Sequence, residues 1–364
     1  MILPYKIGYR MPAEWEPHSA TQLHWPSNNQ TWPNERLANV QRVYLDIIEV
    51  LHRYESIILL VDLSVNPEEV REKLDQRKIS QKNIHIYHVS INDVWARDCG
   101  PIFIKKMEYG ERIFAITDWK YNAWGEKYPP FDSDNALPEW FAKKFRIPTF
   151  KPDMVLEGGS IETNGQGLFL TTESVLLNSN RNPGMTKQEI ENRLRDFLGA
   201  EKVIWLKEGL AGDDTDGHVD DLSRFLNTDT IVTMVSQNKS DVNYEVLQKN
   251  YQILKKSTNQ YGEPLRIETL PMPETRIEET TIDGSEFVPA SYANFYIANG
   301  VVLLPVFNSR HDEEALQLLR TYFQDRDVIG INCTDLVWGQ GGIHCITQQL
   351  YGLDVRKDSV HPER

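Results

Sequence analysis

The chain has 364 residues, 40% of them apolar and 25% charged, the balance of a water-soluble globular protein rather than a fibrous or disordered one. Lys and Arg number 39 against 53 Asp and Glu, a net charge of −14; a field of that sign repels nucleic acid and attracts small cations, although acidity also serves solubility alone. Three cysteines, Cys99, Cys333 and Cys345, cannot form a disulfide framework, and no apolar run approaches the ~18–20 residues of a spanning helix. Residues 1–6 lack a secretory pattern. The expected location is a reducing cytoplasm, with neither membrane nor nucleic acid as partner.

Leu37, Val40, Val43, Tyr44, Ile47 and Ile48 recur at three-four spacing, which predicts a helix over 34–54 with Asn34 as its N-cap. Ser56–Val61 is an apolar run of strand length. Asn66 followed by Pro67 opens a helix over 66–77, and a strand follows at 84–89. Thr186 and Glu189 form a capping-box pattern for a helix through Leu198, with a strand at 203–205 after it. Helices are expected over 242–254 and 312–323. Strand segments at 295–297 and 301–306 flank Ala298-Asn299-Gly300, a hairpin pattern. Helical crossovers mixed with hairpins predict an α/β or α+β fold with a mixed sheet. No Pro/Gly/Ser-rich linker divides residues 1–364, which read as a single domain. Neither a P-loop nor a dinucleotide fingerprint is present.

Four segments set reactive residue types beside glycine: Asp98-Cys99-Gly100, Glu157-Gly158-Gly159, Gly217-His218-Val219-Asp220, and Gly341-Gly342-Ile343-His344-Cys345. From Asp98 to Glu157 is 59 residues, to His218 a further 61, and to Cys345 a further 127. That spacing predicts a hidden repeat of roughly sixty residues, each unit sending one end to a common centre. One unit, near residue 280, would contribute no key residue.

Singly, each segment has a plain reading: a buried thiol, a hydrogen-bonded His-X-Asp pair, an Arg97–Asp98 ion pair, a turn glutamate. Together they suit attack on a guanidinium carbon. Cys345 supplies a nucleophile once its thiol ionises. Asp98 and Asp220 can grip a flat cation bidentately. His218 is the acid and base that protonates leaving ammonia and then activates water. On a strand, His218 and Asp220 would face the same side. Glu157 is expected to hold His218 and keep it protonated. Trp95 and Trp124 are candidate walls of the cation site, with core packing as the alternative.

These segments resemble the agmatine deiminase family, also labelled the bacterial-type peptidyl-arginine deiminase family, within the guanidino-group-modifying penteins. The resemblance extends to residues 10–18 (Arg-Met-Pro-Ala-Glu-Trp-Glu-Pro-His), Asn122-Ala123-Trp124-Gly125, Thr171-Thr172-Glu173, residues 178–183 and 290–299, and Ile343-His344-Cys345-Ile346-Thr347-Gln348-Gln349. It implies a five-bladed α/β propeller with pseudo-fivefold repeats. It implies conversion of agmatine and water to N-carbamoylputrescine and ammonia, a step toward putrescine, through a covalent amidino-cysteine. It implies neither metal nor organic cofactor. It carries the nucleophile onto Cys345, the histidine onto His218, the guanidinium-binding aspartates onto Asp98 and Asp220, and the supporting glutamate onto Glu157.

Two positions depart from the family pattern. Gly342 stands where many members carry asparagine, and Asp214 where many carry glutamate. Asp214 is assigned to the aminium end of agmatine. The competing substrates are free arginine and peptidyl-arginine, for which Arg97, Arg181 and Arg224 are the candidate carboxylate partners. No feature marks a second amine site, as an amidinotransferase would need. A zinc hydrolase built on His218, Asp220, His344 and Cys345 is disfavoured, because adjacent residues on a strand point to opposite faces. A non-catalytic binding propeller would need no cysteine–histidine set. A homo-oligomer is compatible with the sequence.

Overall fold

In the computed structural model, which describes residues 2–274, 281 and 284–355, the strands form five short mixed sheets. β1 (Ala20–His24), β2 (Ser56–Val61) and β3 (Ile84–His88) run parallel. Four further units each contain an antiparallel pair and then a parallel strand reached through a helix. They are β4 (Ile102–Glu108), β5 (Glu111–Thr117) and β6 (Thr149–Phe150); β7 (Glu162–Thr163), β8 (Leu168–Thr172) and β9 (Lys202–Leu206); β10 (Ser223–Phe225), β11 (Thr230–Val235) and β12 (Arg266–Pro271); and β13 (Tyr296–Ile297), β14 (Val301–Val306) and β15 (Asp327–Asn332). β16 (Gln348–Leu350) pairs antiparallel with β1, Gln22 opposite Gln348. The end of the chain thereby supplies the strand that completes the first unit.

The helices form for the local reasons read above. In Glu35–Leu51 the predicted stripe is buried from Val40 to Ile48, with Leu37 half-buried. Each fully buried aliphatic side chain there contributes roughly 1.5–3 kcal/mol. Asn34 does not cap this helix with its side chain; its backbone takes φ 58° and ψ −130° instead, a positive-φ conformation outside the left-handed helical region. Pro67–Gln76 begins with Glu68 N donating to the Asn66 side chain. Lys187–Leu198 carries the complete Thr186–Glu189 capping box. The helices expected near 242 and 312 span Tyr244–Lys256 and Asp312–Tyr322. β2 and β14, covered on both faces, are almost wholly apolar and buried. Among the described residues, no helix is long and apolar enough to cross a membrane.

The first strands of successive units begin at residues 102, 162, 223, 296 and 348. The sixty-residue repeat therefore holds for the first three and stretches before the fourth, where a long connection follows β12. Four of these five first strands, all but β13, are preceded by a tight segment that carries a candidate residue.

Candidate active site

Those pre-strand segments converge. Asp98 lies in a single helical turn, Ala96–Cys99, ahead of β4. Glu157 precedes the 3-10 turn Gly158–Ser160 ahead of β7. His218 and Asp220 do not lie on a strand, as expected above; Val219–Asp221 is a 3-10 turn and β10 starts only at Ser223. Cys345 likewise sits in a turn, three residues before β16. Gly159 lies at the point of convergence. A Cβ there would stand 2.5 Å from His218 Nδ1, 2.8 Å from Asp98 Oδ1 and 3.1 Å from Asp220 Oδ2, so only glycine lets the three side chains meet.

A cavity of about 450 Å³ opens onto this centre and is lined by Asp98, Cys345, Trp95, Trp124, Asp214 and Tyr128, among others. That is the size of a small-molecule site. Trp95 and Trp124 form its wall, edge to face with centroids 6.1 Å apart. Trp124 Nε1 donates to Asp98 Oδ2 at 3.0 Å, and Gly159 N donates to Asp98 Oδ1 at 3.0 Å. Burial, and then the charge of Glu157, push the Asp98 carboxyl up to about 7. Cys99 packs away from the cavity, its Sγ donating to Trp95 O at 3.2 Å.

Behind Asp98, Asp220 is fully buried. Its Oδ2 lies 2.7 Å from His344 Nδ1, and its Oδ1 has no hydrogen-bond partner among the described residues. Burial and the neighbouring Asp98 raise its carboxyl well above the usual range. The same causes act on Cys345: burial, then Asp220, Asp221 and Asp98, push its thiol up. A thiol in this setting ionises only when positive charge enters.

His218 is held by its backbone and left free at its ring. Its N–H donates to Thr215 Oγ1 at 3.1 Å and to Asp213 Oδ2 at 3.2 Å. Nδ1 is 3.6 Å from Asp98, and Nε2 is buried without a hydrogen-bond partner among the described residues. Glu157 does not hold it as expected. Arg181 Nε donates to Glu157 Oε1 at 2.5 Å, and none of the described hydrogen bonds joins Glu157 to His218. Burial and then the Arg181 charge lower the His218 pKa well below the usual value. The ring is therefore neutral at rest rather than kept protonated.

Arg97, Arg181 and Arg224 are all committed to buried ion pairs: Arg97 with Glu14, Arg181 with Glu157 and Asp216, and Arg224 with Glu14 and Glu162. None of the three lines the cavity. At the open side, Tyr128 donates to Asp214 Oδ2 at 2.6 Å, and Lys127 donates to the Asp214 carbonyl and, at 2.9 Å, to Asp216. The wall residue Trp124 belongs to a run of four left-handed residues, Ala123 to Glu126, with φ of 49°, 57°, 91° and 63°. Such a conformation costs roughly 1–2 kcal/mol for each non-glycine residue and keeps the indole on Asp98.

Residues 10–350 match the sequence profile of the Porphyromonas-type peptidyl-arginine deiminase family. The chain belongs to that family. A relative from Legionella pneumophila (strain Philadelphia 1), provisionally named an agmatine deiminase, is 38% identical over 347 residues, 95% of this chain and 96% of its own. The solved agmatine deiminase of Enterococcus faecalis superposes with a TM-score of 0.87 at 31% identity, covering 96% of this chain and 98% of that one. A Porphyromonas gingivalis structure, provisionally named an arginine deiminase, gives 0.82 at 35% identity over 94% and 98%. The mixed α/β fold is that of these deiminases.

Within this deiminase-family site, two buried residues complete the centre that the sequence reading left out. Asn294 precedes β13, in the unit to which no key residue was assigned. Its Nδ2 donates to Cys345 Sγ at 3.2 Å and to Asp221 Oδ1 at 3.0 Å, while its Oδ1 accepts from His344 N at 2.9 Å. A Cβ at Gly342 would lie 2.5 Å from Asn294 Oδ1, so the family asparagine has no room at 342 beside Asn294 as it stands here. Glu14, from the segment 10–18, reaches His344 Nε2 at 2.7 Å. The position of Asn294 in the repeat was the available signal for it; nothing local marks Glu14 as a partner of His344.

Among the described residues, two sets of donor atoms lie close enough for one metal ion: His24, Cys99 and Asp134, and Asp220, Asp221 and Cys345. In both, donors are already engaged. His24 Nδ1 meets Asp93 O at 2.8 Å, and Asp134 accepts from Asn92 N at 2.7 Å. Asp220 is taken by His344 and Asp221 by Asn294. The set weighed for zinc and disfavoured above, His218 with Asp220, His344 and Cys345, is not brought together as one such group among the described residues.

Proposed function

We propose that the chain is an agmatine deiminase. The observation that carries this reading is the charge of the cavity. Asp62, Asp93, Asp98, Asp134 and Asp214 line it against Lys127, which is itself paired with Asp216; it reaches a thiol, and the arginines that would receive a substrate carboxylate are locked in ion pairs elsewhere. A molecule cationic at both ends and lacking a carboxylate fits that wall. Agmatine deiminases of similar sequence and structure support the same substrate.

In this reading Asp98 and Asp220 take the guanidinium, and Trp95 and Trp124 wall it. Its charge offsets the surrounding carboxylates, so the Cys345 thiol ionises as substrate enters, with neutral His218 able to receive a proton. Sγ attacks the guanidinium carbon, a C–N bond breaks, and His218 returns a proton to the departing ammonia. Water then attacks the same carbon with His218 as base. The S–C bond breaks, N-carbamoylputrescine leaves, and the cysteine is restored. Asp214 reads the aminium end. Glu157 acts by holding Arg181 beside His218. The repeated units, closed by β16 on β1, support a five-bladed propeller in one domain, and three buried free thiols suit a reducing cytoplasm.

Ammonia release from agmatine, free arginine and an arginyl peptide, measured side by side, tests the proposal. Agmatine is expected to be the substrate, with activity in Cys345→Ala about 10⁴-fold lower or less. Preference for arginine would keep the chemistry and move the substrate. No release from any of the three would end the reading.

A further inference from the structure

His344 adjoins the proposed nucleophile in sequence, yet both its ring nitrogens are taken by carboxylates. Nδ1 lies 2.7 Å from Asp220 Oδ2 and Nε2 lies 2.7 Å from Glu14 Oε2. Each contact is of hydrogen-bond length and each needs a proton. A neutral imidazole supplies one N–H and an imidazolium two. Either the ring is charged, or one carboxyl carries the second proton.

The two carboxyls differ in what surrounds them. Glu14 accepts from Ile297 N at 2.8 Å and pairs with Arg224 at 2.9 Å and Arg97 at 3.2 Å. Burial works against its charge, but Arg224, Arg97 and the hydrogen bond from His344 hold it well below the usual range. Asp220 has no comparable support. Its Oδ1 is buried without a partner among the described residues, and Asp98, Asp221 and Asp213 are its acidic neighbours. The nearby cations, Arg224 and Arg97, are consumed by Glu14 and Glu162. They also face His344, whose pKa is lowered by burial and then by those two charges. The second proton therefore belongs on Asp220.

We infer that His344 is the internal proton acceptor for Asp220. In the empty site Asp220 carries a proton on Oδ2 and donates it to Nδ1 of a neutral His344. Entry of a guanidinium drives that proton across the 2.7 Å hydrogen bond. The O–H bond of Asp220 breaks, the N–H bond at Nδ1 forms, and the summed charge of the pair stays zero. Asp220 becomes a carboxylate paired with the incoming cation, and His344 an imidazolium between Asp220 and Glu14. The resting site thus avoids burying Asp98 and Asp220 as two neighbouring anions. His344 is a positioning residue, acting through Asp220 without touching substrate. The inference rests on the reading of the site as one that binds a guanidinium.

Agmatine binding to Cys345→Ala protein, which cannot turn over, supplies the test. Calorimetry in buffers of different ionisation enthalpy counts the protons released, above the pH range in which Asp98 titrates. With His344 present the Asp220 proton stays inside. With His344→Gln it must leave, so release rises by about one proton per site. Equal counts would overturn the transfer. No binding of agmatine would overturn the guanidinium reading, and the transfer with it. Because residue 344 sits in an ion-pair network, the substituted protein can fail to fold, and a second measurement leaves it intact. The imidazole ¹⁵N signals of labelled Cys345→Ala protein, assigned to His344 through its backbone, should show one protonated nitrogen before agmatine and two after. Two protonated nitrogens in the free protein would overturn the inference.

Discussion

His218 and His344 are both 1% exposed, both adjoin Asp98 or Asp220, and are treated oppositely by the fold. His344 is bonded at both nitrogens by carboxylates at 2.7 Å. His218 is pinned through its backbone while its Nε2 has no partner among the described residues. A buried polar atom left unpaired costs roughly 1–3 kcal/mol. The molecule carries that cost at the ring whose nitrogen the proposed chemistry uses, and avoids it at the ring next door. The difference separates a reactive imidazole from a structural one more sharply than sequence position does. His344, not His218, is the neighbour of Cys345 in the chain.

The largest break of this comparison is expected from His218→Asn. It should lower kcat by about 10²–10⁴-fold with little change in KM, the range for loss of a positioned acid–base group. Thermal unfolding should show little loss of stability, since no ring hydrogen bond is removed. A large fall in Tm with a small fall in kcat would assign His218 a structural role instead.

Next in size is a pH effect at the carboxylate beside His218. With Asp98 pushed up to about 7, kcat/KM for agmatine should fall about tenfold for each unit of pH below that value. Stability of the empty protein should move the opposite way. The folded pKa of Asp98 lies above its unfolded value of 3.8. Its contribution is then fully present below 3.8 and lost as pH rises through about 7. Urea midpoints measured across this window should decline with pH, and Asp98→Asn should flatten the decline.

Asn294→Leu probes the other histidine's side of the site. It removes the amide that donates to Cys345 Sγ and accepts from His344 N. A hydrogen bond to a charged group is worth about 1.5–3 kcal/mol, so a ten- to hundredfold loss of kcat is expected. Alkylation of Cys345 by iodoacetamide should shift to higher pH by about one unit. An unchanged alkylation profile would make the contact incidental.

The smallest effect belongs to Asp214, remote from both rings. Asp214→Asn should raise KM for agmatine by about two- to fivefold, the value of a partly exposed ion pair. It should leave a guanidine lacking the amine unaffected. Equal losses on both would remove Asp214 from substrate recognition.

Much of the architecture was legible in the chain because it arises from near neighbours. The apolar stripe of Glu35–Leu51, the capping box at Thr186 and the hairpin before β14 each depend on residues a few positions apart. The reactive types were legible too, since a thiol, a histidine and carboxylates beside glycine restrict the chemistry wherever they meet. The pairing of these groups was not. Glu14 and His344 are 330 residues apart, Asn294 and Cys345 51, and Arg181 and Glu157 24. Protonation followed the pairing, so Glu157 could not be known to serve Arg181, nor His218 to rest neutral, from residue types alone. Periodicity and capping are short-range forces written along the chain. Desolvation and ion pairing depend on what the folded molecule brings alongside.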